Sequence, residues 1–172
     1  MPTLTLKPLS ATNLAIPGAD PWQAKAEDPA RSVMTDFRVR SSVTVPQALN
    51  IDVALEHMKH TGVRCAFAVD EAQQLVVGLI TAYDIMGEKP MRYMQNMGSN
   101  RAQVQAKDLM LRLADWRVVD IGQIERSTVG AVARLFEDSS LTHIAVMETD
   151  ERGAQRLRGL LSAAHVRRVL AR

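Results

Sequence analysis

An internal repeat limits what this chain can fold into. Residues 50–58 read NIDVALEHM, with Ile51, Ala54, Leu55 and Met58 at the i, i+3, i+4, i+7 spacing of one apolar helix face. Seventy-eight residues later, residues 128–136 read TVGAVARLF, and Val129, Val132, Ala133 and Phe136 repeat that spacing. Asn50 and Thr128 are matching N-cap residues, each with an oxygen that can accept from a free backbone N–H of the first turn. At the same offset CAFAVD (residues 65–70) aligns with HIAVME (residues 143–148), and both read as short buried strands. Polar turns follow, EAQQ in one copy and TDERGAQR in the other. Then come LVVGLIT (residues 75–81) and LRGLLS (residues 157–162), now 81 residues apart. Each run ends in a hydroxyl, Thr81 or Ser162, ahead of a further helix. Upstream, SVM at residues 32–34 matches DLM at residues 108–110 with an offset of 76. The offset changes only across turn regions, where a duplicated unit tolerates insertions.

Each copy therefore reads as short strand, helix, strand, turn, strand, helix. About 60 residues bury little core alone, so the two copies are expected to pack sheet to sheet. The expected divisions are an arm at residues 1–30, a first repeat at 31–90, a linker helix at 91–106 and a second repeat at 107–172. Pro90 suits the first turn of the linker helix and Gly98 its end, with Met91, Met94 and Met97 near one packing face. Five of the seven prolines fall within the first 30 residues, which forbids long helices there. With Leu4, Leu6, Leu9, Leu14, Ile16 and Trp22 among them, these residues read as an extended arm lying on its own domain or on a partner subunit.

Composition narrows the function. Hydrophobic residues make up 47% of the chain, enough for a core. A formal charge of +2 argues against a strongly basic nucleic-acid binder, although arginines gather near the C-terminal end. No apolar run approaches a membrane span and no secretory signal opens the chain, so a cytoplasmic protein is expected. The single cysteine, Cys65, lies in an apolar run and reads as a buried, inert thiol. His57 and His60 share a helix with ligand spacing, but they lack partners to complete a metal site, so none is assigned. There is no phosphate-binding loop, dinucleotide fingerprint or nucleophile elbow, and no catalytic residue is assigned.

Thr81 and Asp84 raise the sharpest question. As N-cap and third helical residue they fit a capping box, with Asp in the usual place of Glu or Gln. They equally suit a ligand at a strand-to-helix junction. The repeated order, with Gly78-Leu79-Ile80-Thr81-x-x-Asp84 and a Met-containing start before each copy (SVMTD, KDLM), resembles a tandem pair of CBS (cystathionine β-synthase) domains over residues 28–172. That resemblance implies an α/β module of two β-α-β-β-α repeats related by pseudo-twofold symmetry, with two clefts between them. It implies reversible binding of an adenosine-containing ligand (AMP, ADP, ATP or S-adenosylmethionine), a non-catalytic regulatory role toward a partner protein, and no required cofactor. Association into a homodimer is implied too. On this reading the Asp84 carboxylate accepts hydrogen bonds from two adjacent ribose hydroxyls, and Thr81 faces ribose or phosphate. Val45, Ala66 and Phe67 lie where relatives touch adenine. The second copy keeps the hydroxyl as Ser162 but carries His165 in the aspartate position. A neutral imidazole cannot accept two hydroxyl protons, so that cleft is expected to bind ribose poorly. Ala82 and Ala163 stand where many relatives carry a basic residue. Arg64, Arg156, Arg158 and Arg167 are the replacements to consider for phosphate. The alternative reading is a homodimeric scaffold that has lost its ligand, or an interaction module acting on a partner protein.

Overall fold

The computed structural model describes residues 23–170, so most of the expected arm lies outside the described residues. A 3-10 turn at Ala30–Val33 leads into β1 (Thr35–Asp36), β2 (Thr44–Pro46), α1 (Ile51–His60), β3 (Cys65–Asp70), β4 (Leu75–Thr81), α2 (Ala82–Met86) and α3 (Lys89–Met97). The second half runs α4 (Ala106–Leu109), β5 (Leu111–Arg112), β6 (Val118–Asp120), α5 (Ile121–Glu125), α6 (Val129–Ser139), β7 (His143–Thr149), β8 (Gln155–Ser162) and α7 (Ala163–Leu170). The duplication is visible in the backbone. Asn50 and Thr128 cap α1 and α6 by accepting from Asp52 and Ala131 N–H groups. Matching register shifts interrupt the two hairpins, at Ala68/Val69 and at Val146/Met147. Helix α5 has no counterpart in the first half. It caps itself through Asp120 and buries Ile124, and it accounts for the wider spacing between β6 and α6.

The described strands form two sheets, in the orders β1-β8-β7-β6 and β2-β3-β4-β5. Each repeat thus sends its opening strand into the other repeat's sheet. β1 pairs with β8 (Thr35 opposite Leu160, Asp36 opposite Gly159), and β5 pairs with β4 (Leu111 opposite Leu79, Arg112 opposite Gly78). The turns before these strands cross over as well. Ala30, Val33 and Met34 pack with Phe136, Leu161 and Val166, while Ala106 and Leu109 pack with Ile51, Met58 and Ile85. Residues 30–36 therefore belong in space with the second repeat, and the divisions expected from the sequence differ from the packed units. Hydrophobic period alone reports that a segment is buried, not which sheet it joins.

The crossing explains the glycine and methionine that recur in each copy. A Cβ at Gly78 would lie 2.5 Å from Met110 Sδ and 2.8 Å from the Leu111 carbonyl oxygen. At Gly159 it would lie 2.8 Å from Met34 Sδ and 2.7 Å from the Thr35 carbonyl oxygen. Only a residue without a Cβ lets the exchanged strand approach so closely.

Between the sheets, Phe67, Leu79 and Leu160 form a third cluster with Phe37 and Trp116 at its edges. Phe37 meets Phe67 edge-on at 5.4 Å between centroids, and Trp116 tilts against Phe67 at 5.9 Å. Beside it, the buried Arg158 guanidinium bridges Asp36 on β1 and Glu148 on β7, 3.0 Å from the latter's Oε2. Arg31 and Arg38 complete the network at 3.1 and 2.9 Å. Helix α3 matches its sequence signals, with proline in the first turn and Gly98 closing it at φ 61°. The methionine stripe divides, however. Met94 packs against the first core, whereas Met91 and Met97 are exposed.

Gly78→Ala and Gly159→Ala should each lower stability by about 1–3 kcal/mol, because the nearest atoms include a strand carbonyl that cannot rotate away. Denaturant melts of the two variants beside wild type check this. A control substitution at Gly153, where a Cβ meets nothing within 4 Å but φ is +81°, should cost only the milder backbone strain.

Candidate functional site

The junction of β4 and α2 carries the chemistry. Strand β4 buries Ile80 and Thr81, and the chain turns at Thr81 in an extended conformation before α2 begins. Both limbs of the capping box are present. Thr81 Oγ1 accepts from the Asp84 N–H at 3.1 Å, and Asp84 Oδ2 accepts from the Thr81 N–H at 2.8 Å. The Thr81 hydroxyl also donates to Asp84 Oδ2 at 2.7 Å. One carboxylate oxygen is thereby committed to the fold. The other, Oδ1, accepts from Lys89 Nζ at 2.5 Å, and the same ammonium lies 3.4 Å from the Leu109 carbonyl. Asp84 is largely buried, whereas the Lys89 side chain is 55% exposed.

Beside this junction lies the cleft between the sheets, lined by Leu79, Leu111, Trp116, Arg117, His143, Ala145 and Leu160. Its free volume is about 10 Å³, room for about one water. Trp116 helps to close it, held by Nε1 donating to the Leu111 carbonyl at 3.2 Å. His143 comes from the other repeat and lies within range of the Asp84 charge. Burial pushes its pKa below the ordinary 6.5, while Asp84 pulls the other way.

The sequence-selected residues are distributed unevenly around this cleft. Thr81 and Asp84 come together as expected. Phe67 faces the space between the sheets, but Val45 and Ala66 bury their side chains in the first repeat's core at 1% exposure each. Their side chains therefore face the core and not the space between the sheets. Neighbouring strand residues point to opposite faces, so Ala66 and Phe67 cannot line the same cavity. Ser162 stands opposite His143 in the β7–β8 pairing. His165 Nδ1 lies 3.0 Å from Arg168 Nη2, and burial with the nearby charges of Arg168 and Arg40 lowers its pKa. A neutral imidazole beside two guanidinium groups replaces the carboxylate there. Among the arginines considered for phosphate, Arg158 is committed to its buried ion pairs and Arg156 pairs with Asp150 at 3.6 Å. Arg167 lines a groove between α6 and α7, away from this cleft. Sequence reasoning missed Lys89, Trp116, Arg117 and His143. Lys89 was findable five residues past Asp84, but Trp116, Arg117 and His143 reach the cleft only through the packing of the second repeat.

Burial raises the pKa of the Cys65 thiol, which disfavours the reactive thiolate. Among the described residues, no cluster of three or more His, Cys, Asp or Glu side chains could hold a metal ion. No described helix is long and apolar enough to cross a membrane.

Residues 30–90 match the family model for the CBS domain. No curated protein matches the sequence. Among solved structures the chain is similar to CBSX2 from Arabidopsis thaliana in complex with AMP, at 21% identity and a TM-score of 0.53, covering 81% of this chain and 93% of that one. It is similar to a CBS-domain containing protein from Agrobacterium tumefaciens at 19% identity and a TM-score of 0.54, covering 90% and 96%. An uncharacterized conserved protein from Pyrococcus horikoshii gives 17% identity and a TM-score of 0.55, covering 83% and 92%. At these identities the likeness establishes the fold.

The histidines predict a pH response. With folded pKa values below 6.5 for His143 and His165, the unfolded chain takes up protons first as the pH falls. Stability contributed by the neutral rings is complete above that value and is lost on acidification toward the folded pKa. Melting temperatures from pH 7.5 to 5.5 should fall less steeply for His143→Gln than for wild type. Equal slopes would mean that His143 titrates normally in the folded protein.

Proposed function

We propose that this chain, with a CBS domain at residues 30–90 and the fold of a CBS pair across its described length, is a non-catalytic sensor. Its ligand would be an adenosine-containing nucleotide, held in the cleft beside Thr81 and Asp84. The observation that carries this reading is the division of labour within one carboxylate. Oδ2 holds the capping box, and among the described residues Oδ1 has the half-exposed Lys89 as its hydrogen-bond partner. A ribose hydroxyl could take that position without dismantling the helix start. The AMP complex of CBSX2 supports the choice of ligand class. Only one such cleft is proposed per chain, because His165 offers no carboxylate at the equivalent position. Phe67 would contribute from the sheet interface, while Val45 and Ala66 would contribute main-chain atoms at most. Ser162 and His165 would be left without a ribose.

A second reading rests on the closed cleft. With about 10 Å³ free, no nucleotide enters unless Trp116 and its neighbours move. A scaffold that never opens would keep this geometry. One experiment separates the two. Ligand at a hundred times its dissociation constant stabilises a native protein by about 2.7 kcal/mol, a rise of roughly 5–10 °C in Tm for a chain of this size. AMP or ATP should produce that rise in wild type. Asp84→Asn should lower the unliganded Tm only slightly, since an amide oxygen still caps, and should lose most of the ligand-induced rise. A full shift in the variant would remove Asp84 from the site, and no shift in wild type with any adenosine compound would favour the scaffold.

Homodimer formation is part of the proposal. Val53 on α1, Tyr83 and Met86 on α2, and Leu135 on α6 are exposed at 54%, 65%, 61% and 41%. Large exposed apolar side chains on α1 and α2, which pack together, and on α6 favour burial against another surface. Light scattering should give twice the chain mass, and Tyr83→Asp with Met86→Asp should reduce it to the monomer. A regulated partner protein would read out the ligand state of this assembly.

A further inference from the structure

We infer that Lys89 is a charge gate that selects phosphorylated adenine nucleotides over uncharged adenosine and over cationic S-adenosylmethionine. The inference rests on the proposed site and names the chemistry of its ligand. The argument begins with what a ribose must displace. Asp84 Oδ2 already accepts two hydrogen bonds from Thr81, and Oδ1 is held at 2.5 Å by the Lys89 ammonium. A ligand that takes Oδ1 either evicts that ammonium or crowds it.

The charge balance then decides which ligand is welcome. Before binding, the Asp84 carboxylate offsets Lys89. Afterwards the carboxylate is shared with neutral hydroxyls, and the ammonium has lost its closest anion. Arg117 on the cleft wall adds another cation, and no residue lining the cleft is acidic. An uncharged nucleoside leaves this positive excess unanswered. A sulfonium ligand adds to it. A phosphate offsets it and gives Lys89 a new charge-assisted partner. Movement of Lys89 is inexpensive, because its side chain is more than half exposed and its outer carbonyl partner, Leu109, is already 3.4 Å away.

The test is calorimetry on the full chain with AMP, adenosine and S-adenosylmethionine, for wild type, Lys89→Ala and Lys89→Arg. Wild type should prefer AMP over adenosine by roughly tenfold or more, the scale of one charge-assisted bond, and should bind S-adenosylmethionine most weakly. The preference should shrink as salt is raised. Lys89→Ala should bring AMP and adenosine to within about threefold, with adenosine itself bound as well or better because Oδ1 is free. Lys89→Arg should restore the preference for AMP. An unchanged ratio in Lys89→Ala, or wild-type affinity for adenosine or S-adenosylmethionine equal to that for AMP, overturns the gate while leaving nucleotide binding intact. Absence of binding by all three ligands to every variant overturns the site itself, and the gate with it.

Discussion

The exchange of opening strands is the contact on which the rest of this molecule depends. β1 lies on β8 at Gly159 and β5 lies on β4 at Gly78, each with a methionine sulfur where a glycine Cβ would be. Separating the repeats would strip an edge strand from both sheets and remove the crossing turns from both helical cores. Neither repeat is large enough to spare that surface. The exchange also sets the spacing of the sheets, so Phe67, Leu79 and Leu160 can meet across them. The candidate cleft is what remains between two sheets held in this way.

The two exchanged strands are not equally secured. β1 brings Asp36 to the buried Arg158, which Glu148 neutralises from the other side. The corresponding strand β5 carries Arg112 opposite Gly78 and relies on apolar packing of Met110 and Leu111. A buried ion pair adds little net stability, but losing one partner leaves a costly charge in the interior. Such a network penalises any register in which Asp36 misses Arg158, so it fixes where β1 sits.

At the junction of β4 and α2, one side chain meets the structural demand and the proposed ligand-binding one without conflict, because a carboxylate has two oxygens. Oδ2 closes the capping box with both donors of Thr81, and Oδ1 faces the half-exposed Lys89. Capping therefore leaves Oδ1 outside the box, and the proposed binding role does not compete with it for the same oxygen. The His165 junction lacks this duality. Its ring meets Arg168 at 3.0 Å and has no second acceptor to offer.

Much of the fold was legible because duplication writes each signal twice. The faces of α1 and α6, their caps Asn50 and Thr128, the paired strands and the Pro90 and Gly98 limits of α3 all rest on local periodicity or local hydrogen bonding. Such features depend on a residue and its near neighbours in the chain. Thr81 and Asp84 belong to the same class, being three residues apart. What the sequence alone left undecided is every pairing between distant segments. The choice of sheet for β1 and β5, the burial of Arg158, the inward turn of Val45 and Ala66, and the meeting of Trp116 and His143 in the cleft are of this kind. Apolar period reports that a side chain is buried but not against what, since the hydrophobic effect has no direction. Only the close approach of two backbones at Gly78 and Gly159 converts that undirected burial into a particular crossing, and with it the cleft.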